Sequence, residues 1–155
     1  MGEGAYHLAS RRLLDQHRSF ASQPWTDSQL PLNRNLLGQR PFPEVVERSI
    51  ENSLSFGVYK GTEQVGFARV VTDYATFAWI ADVFILPAHR GRGLSKWLME
   101  LMIEHPQLQG FRRWVLATKD AHGLYERFGF ITLHRPERWM ERPDPNMKES
   151  PDYWQ

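Results

Sequence analysis

At 155 residues, 41% hydrophobic and 24% charged, the chain has the size and composition of one globular domain, and no apolar run is long enough to span a bilayer. A formal net charge of +1 excludes nucleic-acid binding driven by a broad basic field, so any basic site must be local. The lack of cysteine excludes disulfides, thiol nucleophiles and thiolate metal sites. Met1 to Ser10 lack a basic start followed by an apolar core, so no secretory signal is expected and a cytoplasmic protein is.

In chain order, residues 11 to 20 place Leu13, Leu14, His17 and Phe20 at helical spacing and predict a short helix. Gln23 to Pro43, with its prolines and few periodic apolar residues, reads as a long loop of the kind that often carries function. Pro43 to Ser53 resumes helix, with proline at its start, Glu44 in the first turn, and Val46 and Ile50 four apart. Leu54 to Tyr59 and Gln64 to Thr72 alternate apolar and polar residues around Lys60-Gly61-Thr62-Glu63, which describes a hairpin. A turn at Asp73 to Ala75 leads into a strand from Thr76 to Leu86, so three antiparallel strands follow in sequence.

The run Val83-Phe84-Ile85-Leu86-Pro87-Ala88-His89-Arg90-Gly91-Arg92-Gly93-Leu94-Ser95 passes from apolar to glycine-rich and basic before an amphipathic segment opens. That order describes a strand, a tight loop and a helix start, where free backbone N–H groups and the positive helix end favour a phosphate or pyrophosphate. Gly91 and Gly93 allow close backbone approach, and Arg90 and Arg92 add charge. A nucleotide-hydrolysing phosphate loop does not fit, for it needs Lys followed by Ser or Thr after its second glycine. The dinucleotide fingerprint fails too, because Lys96 stands where its third glycine belongs.

The following helix carries Leu94, Trp97, Leu98, Leu101 and Met102 on one face and stops before Pro106. Phe111 to Thr118 then reads as a strand parallel to the preceding one, because a helix crosses between them. Ala121 to Phe128 is a short helix closed by Gly129, and Phe130 to Leu133 and Arg138 to Met140 are brief strands. The expected architecture is α/β: a mixed, mostly antiparallel sheet with helices on both faces. Residues 1–141 form a single domain and residues 142–155 an irregular tail that Tyr153 and Trp154 could anchor.

Arg90-Gly91-Arg92-Gly93-Leu94-Ser95 resembles motif A of the GNAT superfamily of N-acetyltransferases, with Ser95 where the family has glycine or alanine. Leu124-Tyr125-Glu126-Arg127-Phe128-Gly129-Phe130 resembles the tyrosine-bearing helix and following strand of the same superfamily. The resemblance implies a GNAT-like fold and acetyl-CoA as cosubstrate, with no metal. It places the pyrophosphate on the amides of residues 90 to 95, including Leu94 and Ser95. The pantetheine arm would pair with the backbone of Val83, Phe84 and Ile85, where two parallel strands splay apart. Thr118 stands where many members carry an asparagine that contacts the arm, and Arg127 could reach the 3′-phosphate.

Direct attack of an amine on the thioester needs no covalent acyl-enzyme, in keeping with the missing cysteine. A backbone N–H near Val83 is the candidate donor to the oxyanion of the tetrahedral intermediate. A primary amine with a pKa of about 10.4 is only about 0.04% neutral at pH 7, which costs about 4.6 kcal/mol, so deprotonation is the step most in need of help. Asp82, Asp73, Asp120 and His122 are candidate bases. Each has a competing role: Asp73 as a turn former, Asp82 as the partner of a neighbour such as Arg69, and Asp120 as a helix N-cap. A water-relayed base is a further alternative. Tyr125 matches the family's tyrosine facing the departing sulfur, against the alternative of a core aromatic.

The acceptor is expected to be a small-molecule or peptide amine, which the resemblance places against the variable N-terminal third and residues near Trp79 and the C-terminus. Trp25 and Trp79 are the candidate pocket wall, whereas Trp97 and Trp114 are assigned to the core. No nucleic acid and no membrane is expected as partner, and a homodimer is the default oligomer. Two alternatives stand beside this reading: an acyltransferase with a longer acyl donor, and a CoA-binding sensor or interaction module without turnover.

Overall fold

A computed structural model describes residues 5–11 and 43–142. Five strands form one sheet in the order β1-β2-β3-β4-β5: β1 Tyr6–Arg11, β2 Leu54–Lys60, β3 Glu63–Thr72, β4 Phe77–Ile85 and β5 Arg113–Val115. β1 to β4 pair antiparallel and β5 joins β4 in parallel. The described helices are α1 Pro43–Glu51, α2 Leu94–Glu104 and α3 His122–Tyr125, with short 3₁₀ turns between them. This is the mixed, mostly antiparallel sheet that the alternation of apolar residues predicts.

Register sets which side chains share a face. Leu54 lies opposite Val70, Phe56 opposite Ala68, and Val70 in turn opposite Ile80. All are buried, and together with Val58 and Ala78 they form the sheet's side of the main core. α2 closes that core with Leu94, Leu98, Met99 and Met102, and the last three are fully buried. Burying each is worth about 1.5–3 kcal/mol against exposure. Strong helix formers fill α2, which ends at His105 because Pro106 cannot continue it. Trp97, assigned to the core from its spacing, instead faces outward at 36% exposure, and Met99 takes the buried position. Trp114 is half-buried and packs against the core.

Several boundaries differ from expectation. Tyr6–Arg11 is an edge strand that the sequence reading left unassigned, and Arg11 ends it where a helix was expected to begin. The rest of that helix, the Gln23 to Pro43 loop with Trp25, and Tyr153 and Trp154 lie outside the described residues. The expected strand from Phe111 to Thr118 shortens to Arg113–Val115, since only Phe77, Ala78 and Trp79 pair with it. Phe130 to Leu133 and Arg138 to Met140 are not strands: they find no ladder partner among the described residues, and Pro136–Arg138 forms a 3₁₀ turn. Arg113 lies over the Trp139 ring at 5.2 Å, so a cation–π contact stands where a ladder was expected.

Candidate active site

β4 carries two different edges. Toward β3 it stays paired from Ala78 to Ile85, and Leu86 N–H continues the line to Val65 O at 2.8 Å. Toward β5 the pairing stops at Trp79–Val115, so from Ile80 to Ile85 that edge has no strand partner among the described residues. Val83, Phe84 and Ile85, assigned to the pantetheine arm, all lie on this open stretch. A strand edge without a strand partner is one onto which an extended amide-bearing chain can be added.

A bulge sits in the same stretch. Arg69 lies opposite Ala81 and Phe67 opposite Phe84, so Asp82 and Val83 together face the single residue Ala68. Asp82 takes φ +55°, a left-handed conformation that costs a non-glycine residue about 1–2 kcal/mol. Asp and Asn tolerate it better than other side chains. The Asp82 carboxylate oxygen Oδ2 accepts from Arg69 Nε, and the two side chains are only 16% and 18% exposed. Of the two roles weighed for Asp82, the pairing with Arg69 is present.

After β4 the chain makes a 3₁₀ turn, Pro87–His89, and the loop to α2. Gly91 at φ +74° and Gly93 at φ +76° shape this loop, and a Cβ at either would meet nothing within 4 Å. Both glycines therefore serve the backbone conformation and leave open space above it. Gly93 is the N-cap residue of α2 and offers no side-chain cap; Trp97 N–H donates to Gly93 O at 3.0 Å. The amides of residues 94–96 thus point out of the helix end without intrahelical acceptors. Among the described residues those of 91–93 have no backbone acceptor either. These backbone donors and the positive helix end lie where the anion cradle is expected.

The two arginines divide their work. Arg90 Nε donates to Ile85 O at 2.9 Å and so braces the loop against the end of β4. Arg92 is exposed. On the other side of the turn, Tyr6 Oη lies 3.0 Å from His89 Nδ1, which ties β1 to the loop. No motif in the sequence announces that link, which depends on β1 reaching across the sheet.

Tyr125 is buried and belongs to the same core cluster as Ile85, at the end of β4, and Leu94, at the start of α2. Burial, and then the negative charge of Asp120, push its hydroxyl above the ordinary tyrosine pKa. At neutral pH it is a neutral donor. Thr118 Oγ1 accepts from Ala121 N at 3.1 Å and holds the start of α3, while its own hydroxyl hydrogen stays free to donate. Ala121 is the N-cap residue and no side chain caps the helix through it, so the N-cap role weighed for Asp120 is not observed. Arg127 and His122 are exposed.

Asp73 is a turn former. Its Oδ1 accepts from the amides of Ala75, Thr76 and Phe77 at 3.0, 2.8 and 3.1 Å, and Oδ2 accepts from the Thr76 hydroxyl at 2.7 Å. The Thr76 amide first, then its hydroxyl and the Ala75 amide, hold the carboxyl far below the usual range. A carboxylate so stabilised is a poor proton acceptor, which removes Asp73 from the candidate bases. Trp79 is 36% exposed, as a pocket wall requires. A separate groove of about 840 Å³ lies between Ile103, β5 and residues 128–139. None of the loop residues, Asp82 or Tyr125 lines it.

Among the described residues no group of three or more His, Asp or Glu is placed to hold a metal ion. No helix among them is long and apolar enough to cross a membrane.

The pattern of the Acetyltransferase (GNAT) family matches residues 11–130. The chain is 35% identical over 98 residues to the Gibberella zeae protein FG08082, an acetyltransferase by name, a stretch covering 50% of this chain and 54% of that protein. It thus spans about half the length of the curated relatives it matches. A crystal structure of a protein assigned to the GNAT family from Xanthomonas campestris pv. campestris is 42% identical, with a TM-score of 0.71 over 96% of this chain and 100% of that one. A Clostridium acetobutylicum protein crystallised with acetyl-CoA has a TM-score of 0.60 over 90% of this chain and 96% of that one; at 10% identity it attests the fold. The chain belongs to the acetyltransferase (GNAT) family.

Proposed function

We propose that the protein transfers the acetyl group of acetyl-CoA to a primary amine of a small molecule or peptide, by direct attack on the thioester. The observation that carries this reading is the adjacency of the open β4 edge to the uncapped amides of residues 91–96. One accepts an extended amide chain and the other an anion, which are the two halves of CoA. The pyrophosphate would lie over Gly91 and Gly93, with Leu94 and Ser95 donating from the helix end. The pantetheine arm would lie along Val83 to Ile85, met by the Thr118 hydroxyl, and Arg127 would approach the 3′-phosphate.

In the reaction the amine nitrogen bonds to the thioester carbon, the C–S bond breaks, and the sulfur leaves as thiolate. A backbone N–H freed near Val83 by the bulge would stabilise the oxyanion. Tyr125 would donate a hydrogen bond to the sulfur. A tyrosine raised above about 10 does not give its proton up to a thiolate whose acid has a pKa of about 8.5, so the donor holds its proton. The amine's proton would leave through water, because the carboxylate of Asp82 already receives Arg69 and that of Asp73 is committed to its turn.

The test is calorimetric titration of acetyl-CoA and CoA into the protein, followed by an amine screen read by thiol release. Micromolar binding, lost in an Arg92→Ala, Gly93→Val variant that melts normally, and turnover with at least one amine are expected. No binding of either ligand would overturn the proposal.

A further inference from the structure

The bulge in β4 is held in an unfavourable conformation, and an ion pair between β3 and β4 sits on it. Asp82 carries φ +55° in the middle of a strand, between Ala81 and Val83. Nothing local demands this, since the turn before β4 lies at Asp73 and the loop after it begins at Leu86. Tertiary structure supplies the reason. Arg69, anchored opposite Ala81, places its Nε on Asp82 Oδ2 where both side chains are largely shielded from water. A shielded ion pair is a poor source of stability, and in some proteins such a pair selects one conformation. A bulge bends its strand, and here β4 leaves β5 just before the bulge, after Trp79.

We infer that Arg69 is a positioning residue: by holding the Asp82 carboxylate it keeps the bulge left-handed, which turns β4 away from β5 and holds open the edge against which the pantetheine arm lies. This rests on the proposed CoA site. It assigns Asp82 a conformational role in place of proton abstraction, and it makes affinity for the arm, as distinct from the nucleotide, depend on a pair that touches neither.

The experiment compares calorimetric affinities for CoA and for 3′-phosphoadenosine 5′-diphosphate, the nucleotide end of CoA without pantetheine. Arg69→Ala is expected to raise the CoA Kd about tenfold, while the nucleotide Kd moves less than about twofold. Adding Asp82→Gly should recover most of the loss, because glycine takes a positive φ without a partner and the orphaned carboxylate is gone. That double variant also serves if Arg69→Ala alone folds poorly. Unchanged CoA binding in Arg69→Ala, equal loss of both ligands, or no recovery in the double variant would each overturn the inference. If the wild-type protein binds neither ligand, the proposed function itself fails, an outcome separate from these three.

Discussion

Two stretches flank the open edge of β4, and both rely on positive φ. In the loop before α2 the conformation is given to Gly91 and Gly93, which need no partner and have open space around them. In the bulge it is given to Asp82, whose partner Arg69 comes from another strand. Glycine makes the first region independent of its surroundings; the second exists only when β3 and β4 are in register. The difference teaches where each can be broken: the loop by its own residues, the bulge by a residue thirteen positions away in sequence.

The largest effect is expected at the loop. Gly93→Val forces a β-branched residue to φ near +76° and fills the space over the amides, and CoA affinity should fall about a hundredfold or more by calorimetry. A fall no larger than that of Arg69→Ala would erase the contrast between the two regions. Next in size, Tyr125→Phe should lower kcat by tens of fold while leaving the CoA Kd nearly unchanged. Because burial and Asp120 raise the tyrosine, the wild-type rate should show no alkaline limb owed to Tyr125 below about pH 10. An unchanged kcat in Tyr125→Phe would make it a core aromatic only.

Thr118→Val removes the acceptor of the Ala121 amide, and a lost hydrogen bond of this kind costs about 1 kcal/mol. Thermal melting should register that as a drop of a few degrees, with a two- to threefold weaker CoA Kd.

The smallest effect concerns His105, whose pKa is lowered by burial and whose Nδ1 accepts from Gln107 N at 3.3 Å. The unfolded chain binds this proton more readily than the folded one. The contribution is therefore full above about pH 6.5 and is lost as pH falls through the lower folded value. Melting temperatures between pH 7 and 5 should decline less steeply in His105→Gln than in the wild type. Parallel declines would show that the imidazole does not contribute.

Much of this site was legible in the sequence because its chemistry is local. Two glycines, a proline stop and an amphipathic helix start sit within one short run, and none needs a distant partner to take shape. Tyr125 was legible for a similar reason, with its helix closed by Gly129 at φ +80°. β1 was not, since an edge strand of mixed polarity has no alternation strong enough to distinguish it. The brief strands expected beyond Phe130 show the converse limit: apolar residues at strand spacing form no strand without a ladder partner.

The sequence by itself determined the order of elements, the hairpin, the helix that covers the core and the glycine-rich turn before it, because periodicity and glycine placement act over a few residues. Tertiary structure alone decided that β4 parts from β5 after Trp79, that Asp82 is gripped by Arg69, that Arg90 turns back to Ile85, and that Tyr125 is buried in the core with Ile85 and Leu94. Each of these depends on register between segments far apart in the chain, and register is fixed only when the whole sheet has chosen which faces to bury.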